Sequence, residues 1–118
     1  KNKNKLKIDA EKITMVLINI FTNAIEAMDA VEDKKLVLES YGNKDYFSIK
    51  ISDTGIGMNE ETKENLFEPF FTKRSGGMGL GMTAVKNIIA MHDAKIYVES
   101  ELGKGSNFII QFNKQEKP

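Results

Sequence analysis

Tyr46-Phe47-Ser48-Ile49-Lys50-Ile51-Ser52-Asp53-Thr54-Gly55-Ile56-Gly57-Met58 reads as a strand that runs into an acid and two alternating glycines. Phe47, Ile49 and Ile51 alternate with Tyr46, Ser48 and Lys50, the period of two expected of a half-buried strand. Gly42-Asn43-Lys44-Asp45 upstream has hairpin-turn chemistry, which makes Lys35–Tyr41 the partner strand. Before the hairpin, Ile13, Val16, Leu17, Ile20, Phe21, Ala24 and Met28 recur at steps of three and four, predicting an amphipathic helix from about Ala10 to Ala30. Asp9 is its N-cap, and Glu11 in the first turn complements the dipole. After the hairpin, the stretch from Asp53 to Gly81 holds most of the nine glycines, Pro69 and only a short helical pattern near Glu60–Phe67. So long an irregular stretch is usually functional. A second helix is predicted over about Leu80–Met91, then strands near Lys95–Ser100 and Asn107–Asn113 around a Gly103-Lys104-Gly105 turn. The expected fold is α+β, a two-layer sandwich with helices on one face of a mixed sheet.

Three clusters carry candidate chemistry. Asn19, Asn23 and Glu26 make one polar stripe on the first helix. The stripe is either a polar helix edge or a cleft rim whose amide oxygens suit a hard cation such as magnesium. Asp53 with Gly55 and Gly57 is either a tight turn or a site where backbone passes close to a flat ligand and the carboxylate accepts from an exocyclic amino group. Gly76-Gly77-Met78-Gly79-Leu80-Gly81 leads into the second helix, so it is either a hinge or a phosphate site made of free N–H groups and the helix dipole. It is no Walker A loop, because Gly-Lys-Ser/Thr is missing. Lys73 and Arg74 are either solvated charges or neutralise phosphate.

In this order the pieces resemble the ATP-binding domain shared by histidine kinases, gyrase, heat-shock chaperones and mismatch-repair ATPases. Asn19-Ile20-Phe21-Thr22-Asn23-Ala24-Ile25-Glu26-Ala27 looks like the family's N box, and Asp53-Thr54-Gly55-Ile56-Gly57 like its first glycine box. Phe67-Glu68-Pro69-Phe70-Phe71 looks like the F box of the kinases, Gly77-Met78-Gly79-Leu80-Gly81-Met82 like the second glycine box, and Gly103-Lys104-Gly105-Ser106-Asn107-Phe108 like the closing turn and strand. The resemblance implies one catalytic domain over 1–118, with ATP and magnesium bound. Asn23 is then the metal residue, and Asn19, paired with it as catalytic, lines the phosphate side. Asp53 accepts from adenine, with Gly55, Gly57 and Met58 at the base pocket and Ser106 near it. Lys73, Arg74, Gly77, Gly79, Leu80, Gly81 and Met82 serve the phosphates, within and after a lid over about 58–77. Where the hydrolysing members carry Glu, this chain has Asn19, and an amide cannot take a proton from water. With the F box, this favours the histidine-kinase branch and transfer of a γ-phosphoryl to a His.

Some positions depart from that pattern. Met78 stands where the kinases often have Thr or Ser, and His92-Asp93-Ala94 replaces a common His-Gly-Gly. A helix and most of a strand that precede Asp9 in the family are not found, so the N-terminal part is read as truncated. His92, the only histidine, is assigned a helix-end role, and the acceptor is expected on a separate dimerisation domain. A response-regulator receiver domain and a homodimeric parent are the further implied partners. A degenerate regulatory ATP-binding module and an anti-sigma-factor-type serine kinase are the alternatives.

Composition bounds the rest. Lys plus Arg equals Asp plus Glu at 17 each, so no global field points to nucleic acid. With no cysteine there is neither a disulfide framework nor a thiolate zinc site, which fits a cytoplasmic domain. Membrane anchoring of the parent is left open.

Overall fold

A computed structural model of the chain describes residues 8–68 and 81–114. The elements are α1 (Ala10–Ala27), β1 (Leu36–Gly42), β2 (Tyr46–Asp53), α2 (Glu60–Asn65), α3 (Gly81–Met91), β3 (Lys95–Glu101) and β4 (Gly105–Asn113). Asp9 caps α1 as expected, its side chain accepting from the Lys12 N–H at 3.2 Å. The helix stops at Ala27 instead of Ala30 because the Ala27 carbonyl is taken by the Ile56 N–H, 3.0 Å away in the loop after β2. At the β1–β2 turn, Asn43 Oδ1 accepts from the N–H groups of both Asp45 and Tyr46 at 2.8 Å, which fixes the hairpin register. The short helix α2 starts where Asn59 Oδ1 accepts from Thr62 N–H at 2.8 Å.

The strands form one sheet in the order β1-β2-β4-β3. The expectation of a mixed sheet needs correction, since every ladder among the described residues is antiparallel. Both connections that stay within neighbouring strands, β1–β2 and β3–β4, are hairpins, and the longer α2–α3 passage returns the chain on the far side of β4.

Register explains the sheet's inner face row by row. One row is Ile96, Ile110 and Ile49; the next is Val98, Phe108 and Ile51. Phe47 and Phe112 close the far end, ring centroids 6.5 Å apart. Ile13, Val16 and Ile20 of α1 and Met82, Val85, Ile88 and Ile89 of α3 pack onto this face. Val16, Ile20, Val85 and Ile110 are fully buried, and each such burial contributes about 1.5–3 kcal/mol. Tertiary burial of this stripe, more than helix propensity, holds α1.

Candidate functional site

The row after Val98, Phe108 and Ile51 breaks the apolar pattern: Ser100, Ser106 and Asp53 stand side by side on β3, β4 and β2. Asp53 is 7% exposed and Ser106 equally so. Gly55 N–H donates to Asp53 Oδ1 at 2.8 Å, and the Ser106 N–H adds a second bond to the carboxylate. Burial pushes the Asp53 carboxyl above the ordinary aspartate value, and the Gly55 and Ser106 N–H groups oppose that push. A carboxylate has about four acceptor positions, so two N–H bonds leave room for an amino donor from a ligand. Ser100 Oγ donates to the Gly105 carbonyl at 3.0 Å and accepts from Met58 N–H at 2.9 Å. Its only proton thus committed, Ser100 accepts from the Ser106 hydroxyl, 2.8 Å away. Ser100 was not among the sequence candidates, although the alternation Ile96, Val98, Ser100 would have put it on the inner face.

The glycines around Asp53 make close approaches to the protein's own backbone. A Cβ on Gly55 would lie 2.7 Å from the Ala27 carbonyl oxygen; one on Gly57 (φ 76°) would lie 2.1 Å from that of Glu101. The sequence reading assigned this freedom to a passing ligand. Its immediate use is to seat the loop between the end of α1 and the β3–β4 turn, beside Asp53. Thr54 has a similar internal duty, its hydroxyl donating to the Asp33 carbonyl at 2.7 Å.

A second group of candidates meets where α1 passes the start of α3. Asn19 Nδ2 donates to the Gly81 carbonyl at 3.1 Å, and Asn23 Nδ2 donates to the Met82 thioether at 3.1 Å. Segments some 60 residues apart are clasped here by two side chains one helical turn apart. Both amides spend their N–H ends on α3. Among the described residues neither amide oxygen accepts a hydrogen bond, and no buried polar side-chain atom lacks a partner, so the Asn19 oxygen must open toward solvent despite 6% exposure of the residue. Among the described residues, nothing lies within 4 Å of where a Cβ on Gly81 (φ 70°) would stand. The Met82 side chain is buried in the core, leaving its backbone as what it offers a ligand.

Asn19, Asn23, Gly81 and Met82 are thus brought together, as are Asp53, Gly55, Ser106 and, through Ser100, Met58, with Gly57 packed against Glu101. The Ile56–Ala27 hydrogen bond joins the Asp53 group to the last turn of α1, one turn beyond Asn23. Lys73, Arg74, Gly77, Gly79 and Leu80, with Pro69, Phe70, Phe71 and the 69–77 part of the expected lid, lie outside the described residues. His92 sits at the end of α3 as expected. Its Nε2 accepts from the Asp9 N–H at 2.9 Å and its Nδ1 lies 2.8 Å from the Ile88 carbonyl, so the neutral ring carries its proton on Nδ1.

Chemically, the two groups offer a buried acceptor at one end, and amide oxygens beside a helix N-terminus at the other. A nucleotide has this polarity, a flat base with an amino donor joined to phosphates. Among the described residues no three His, Cys, Asp or Glu side chains gather closely enough to hold a metal ion by themselves. A cation at Asn23 would take most of its ligands from phosphate and water, a pattern that suits magnesium.

The profile of the family described as histidine kinase-, DNA gyrase B-, and HSP90-like ATPase matches residues 8–116. The chain belongs to this ATPase family. Within the family its relatives are sensor kinases. It is 36% identical over 115 residues to the autoinducer 2 sensor kinase/phosphatase LuxQ of Vibrio vulnificus, covering 90% of this chain and 13% of that protein. It is 36% identical over 101 residues to the sensor protein FixL of Bradyrhizobium diazoefficiens, covering 85% of this chain and 20% of that one. The chain therefore spans a fifth or less of these relatives. The solved catalytic domain of the histidine kinase ThkA superposes with a TM-score of 0.80 at 34% identity, over 92% of this chain and 70% of that one. The α+β sandwich is that of the histidine-kinase catalytic domains. No helix among the described residues is long and apolar enough to cross a membrane.

Proposed function

We propose that this domain binds Mg-ATP in the cleft between α1, the Asp53 row and the start of α3, and donates the γ-phosphoryl to a histidine on a separate dimerisation domain. The observation that carries the reading is the α1–α3 clasp, in which Asn19 and Asn23 give their N–H ends to Gly81 and Met82 and leave their oxygens without a hydrogen-bond donor among the described residues. The kinship with sensor histidine kinases supports the reaction class. Asp53 accepts from the adenine amino group. The first N–H groups of α3, unpaired within the helix, meet the phosphates together with the glycine-rich segment before it. Magnesium, when bound, neutralises phosphate charge, with Asn23 Oδ1 as its protein ligand. Asn19 lines the phosphate side and, having no basic lone pair, leaves water unactivated. The acceptor imidazole nitrogen attacks the γ-phosphorus as the bond to the β,γ-bridging oxygen breaks; ADP leaves and the imidazole proton passes to solvent. Catalysis is then mainly positioning and charge neutralisation. In the parent protein, we infer, the domain works in the cytoplasm within a homodimer, and the phosphoryl group moves on to a response-regulator receiver domain.

The test uses labelled ATP with this chain alone, with its dimerisation domain added, and with Asn23→Asp as a metal-site control. The expected result is no acid-labile phosphate on the chain alone and slow labelling of the added domain's histidine. Label on His92 in the lone chain would overturn the two-domain mechanism. Nucleotide binding with no label in any mixture would favour a regulatory module instead.

A further inference from the structure

A carboxamide has two unlike ends, and only its oxygen can hold a cation. What decides which end of Asn19 and Asn23 faces the cleft differs between them. Asn19 is oriented by a backbone carbonyl, that of Gly81, which no side-chain change removes. Asn23 is oriented by one side chain, the thioether of Met82, 3.1 Å from Nδ2. Among the described residues this amide has no other hydrogen-bond partner. Met82 is itself fixed: it is 8% exposed and packed in the core between α1, α3 and the sheet. Turning the Asn23 amide over would set its oxygen against the sulfur lone pairs and aim an N–H pair at the cation. The contact is with sulfur, an acceptor that leucine or isoleucine of similar volume does not supply.

We propose that Met82 is a positioning residue whose thioether holds the carbonyl end of Asn23 toward the cleft and thereby sets the domain's affinity for the divalent cation. The inference rests on the reading of the cleft as a Mg-nucleotide site. It differs from a direct ligand role, because the buried side chain of Met82 acts through Asn23. It also separates metal binding from nucleotide binding: losing the sulfur weakens the first and spares the second.

The test compares wild type, Met82→Leu, Met82→Gln and Asn23→Ala. In nucleotide-free protein, NMR follows the Asn23 side-chain amide and the Met82 methyl carbon. Asn23→Ala is expected to move the Met82 methyl signal, and Met82→Leu to move the Asn23 amide pair. Binding of a fluorescent ATP analogue is then titrated with magnesium and, separately, measured in EDTA. Met82→Leu, a volume-conserving change, is expected to raise the magnesium half-saturation about threefold to tenfold, the loss of one ordinary hydrogen bond. Binding in EDTA stays at the wild-type level, and Met82→Gln, which restores an acceptor, recovers most of the loss. A wild-type magnesium half-saturation in Met82→Leu overturns the proposal, as does an equal loss with and without metal, which would mark mere packing. If wild type binds nucleotide and magnesium while Met82→Leu matches it, only this proposal fails. If wild type binds no Mg-nucleotide at all, the reading of the cleft fails first and the metal role of Met82 with it.

Discussion

Gly57 and Gly81 share a backbone conformation, φ 76° and 70°, but not an environment, and replacing each by alanine separates two demands placed on glycine here. The left-handed conformation alone costs an L-residue about 1–2 kcal/mol. At Gly81 the described residues add nothing to that penalty, since none of their atoms lies within 4 Å of the Cβ. Part of it is offset by the reduced freedom of the unfolded chain, worth about 0.4–1 kcal/mol, so the net loss is about 0–1.6 kcal/mol. At Gly57 the Cβ would lie 2.1 Å from the Glu101 carbonyl oxygen, 2.8 Å from its carbon and 3.2 Å from Leu102 Cα. These are backbone atoms of the β3–β4 turn and cannot rotate aside, so the loop or the hairpin must shift, adding about 1–3 kcal/mol. Gly57→Ala should therefore lose about 2–4 kcal/mol. Thermal unfolding followed by circular dichroism resolves the difference easily, at about 4–8 °C per kcal/mol for a domain near this size. Nucleotide affinity should rank the other way relative to stability. The new methyl at position 81 projects toward the side where phosphates are proposed to lie, so Gly81→Ala should weaken binding of an ATP analogue well beyond its small stability cost. Equal loss of stability in the two variants would refute the steric argument. Wild-type nucleotide affinity in Gly81→Ala would refute the placing of phosphates against that residue.

Because burial raises the Asp53 pKa, the folded chain holds that proton more tightly than the unfolded chain; stability from this group is greatest below the ordinary aspartate range and falls as pH rises through the raised value. Asp53→Asn should flatten that decline in a pH series of melting temperatures while weakening adenine-nucleotide binding, and an unchanged slope would count against the burial argument. Asp53→Ala should cost about 1–3 kcal/mol of binding in a fluorescent ATP-analogue titration, the loss of a buried polar partner; unchanged affinity would remove Asp53 from the site. With Asn19 in place of a base, saturating Mg-ATP should yield phosphate far more slowly than about 1 per second, checked by a coupled phosphate assay. His92→Ala should destabilise the fold by about 1–2 kcal/mol in urea, since the Asp9 N–H loses its acceptor and the Ile88 carbonyl its donor.

The parts of this fold legible in the sequence were those governed by short periods. Phe47, Ile49 and Ile51 alternate and Ile13, Val16 and Ile20 recur at helical steps, so strand and helix followed from spacing, as did the Asp9 cap and the Asn43 turn. What spacing could not supply was pairing. A mixed sheet was expected because the order of elements does not state that β4 inserts between β2 and β3 with every neighbour antiparallel. The same gap hid Ser100, whose importance appears only once register sets it beside Ser106 and Asp53. Asn19 and Asn23 were recognisable as a stripe, but their partners at Gly81 and Met82 lie some 60 residues away, beyond any local pattern.

The two ends of the cleft are held by different kinds of contact, and this bears on how a nucleotide would be met. At the Asp53 end, glycine backbones lie against the Ala27 and Glu101 carbonyls, and main-chain bonds run from Ile56 to Ala27 and from Gly103 to Ile56. Such contacts leave the loop little freedom, since any shift breaks main-chain hydrogen bonds or drives backbone into backbone. The buried Asp53 carboxylate, the proposed acceptor for the base, is therefore in place without a ligand, and the cost of its desolvation is already part of the folded state's energy. At the α3 end the visible clasp consists of two side-chain bonds, one of them to sulfur. Each is worth less than a main-chain network, so this end can adjust more easily than the other. On the proposed reading, a preformed base pocket beside an adjustable phosphate end would let adenine select the ligand while the phosphates and cation organise the residues around them. For that reason substitutions at Gly55 or Gly57 should be felt first in folding, and those at Asn23 or Met82 first in the response to magnesium.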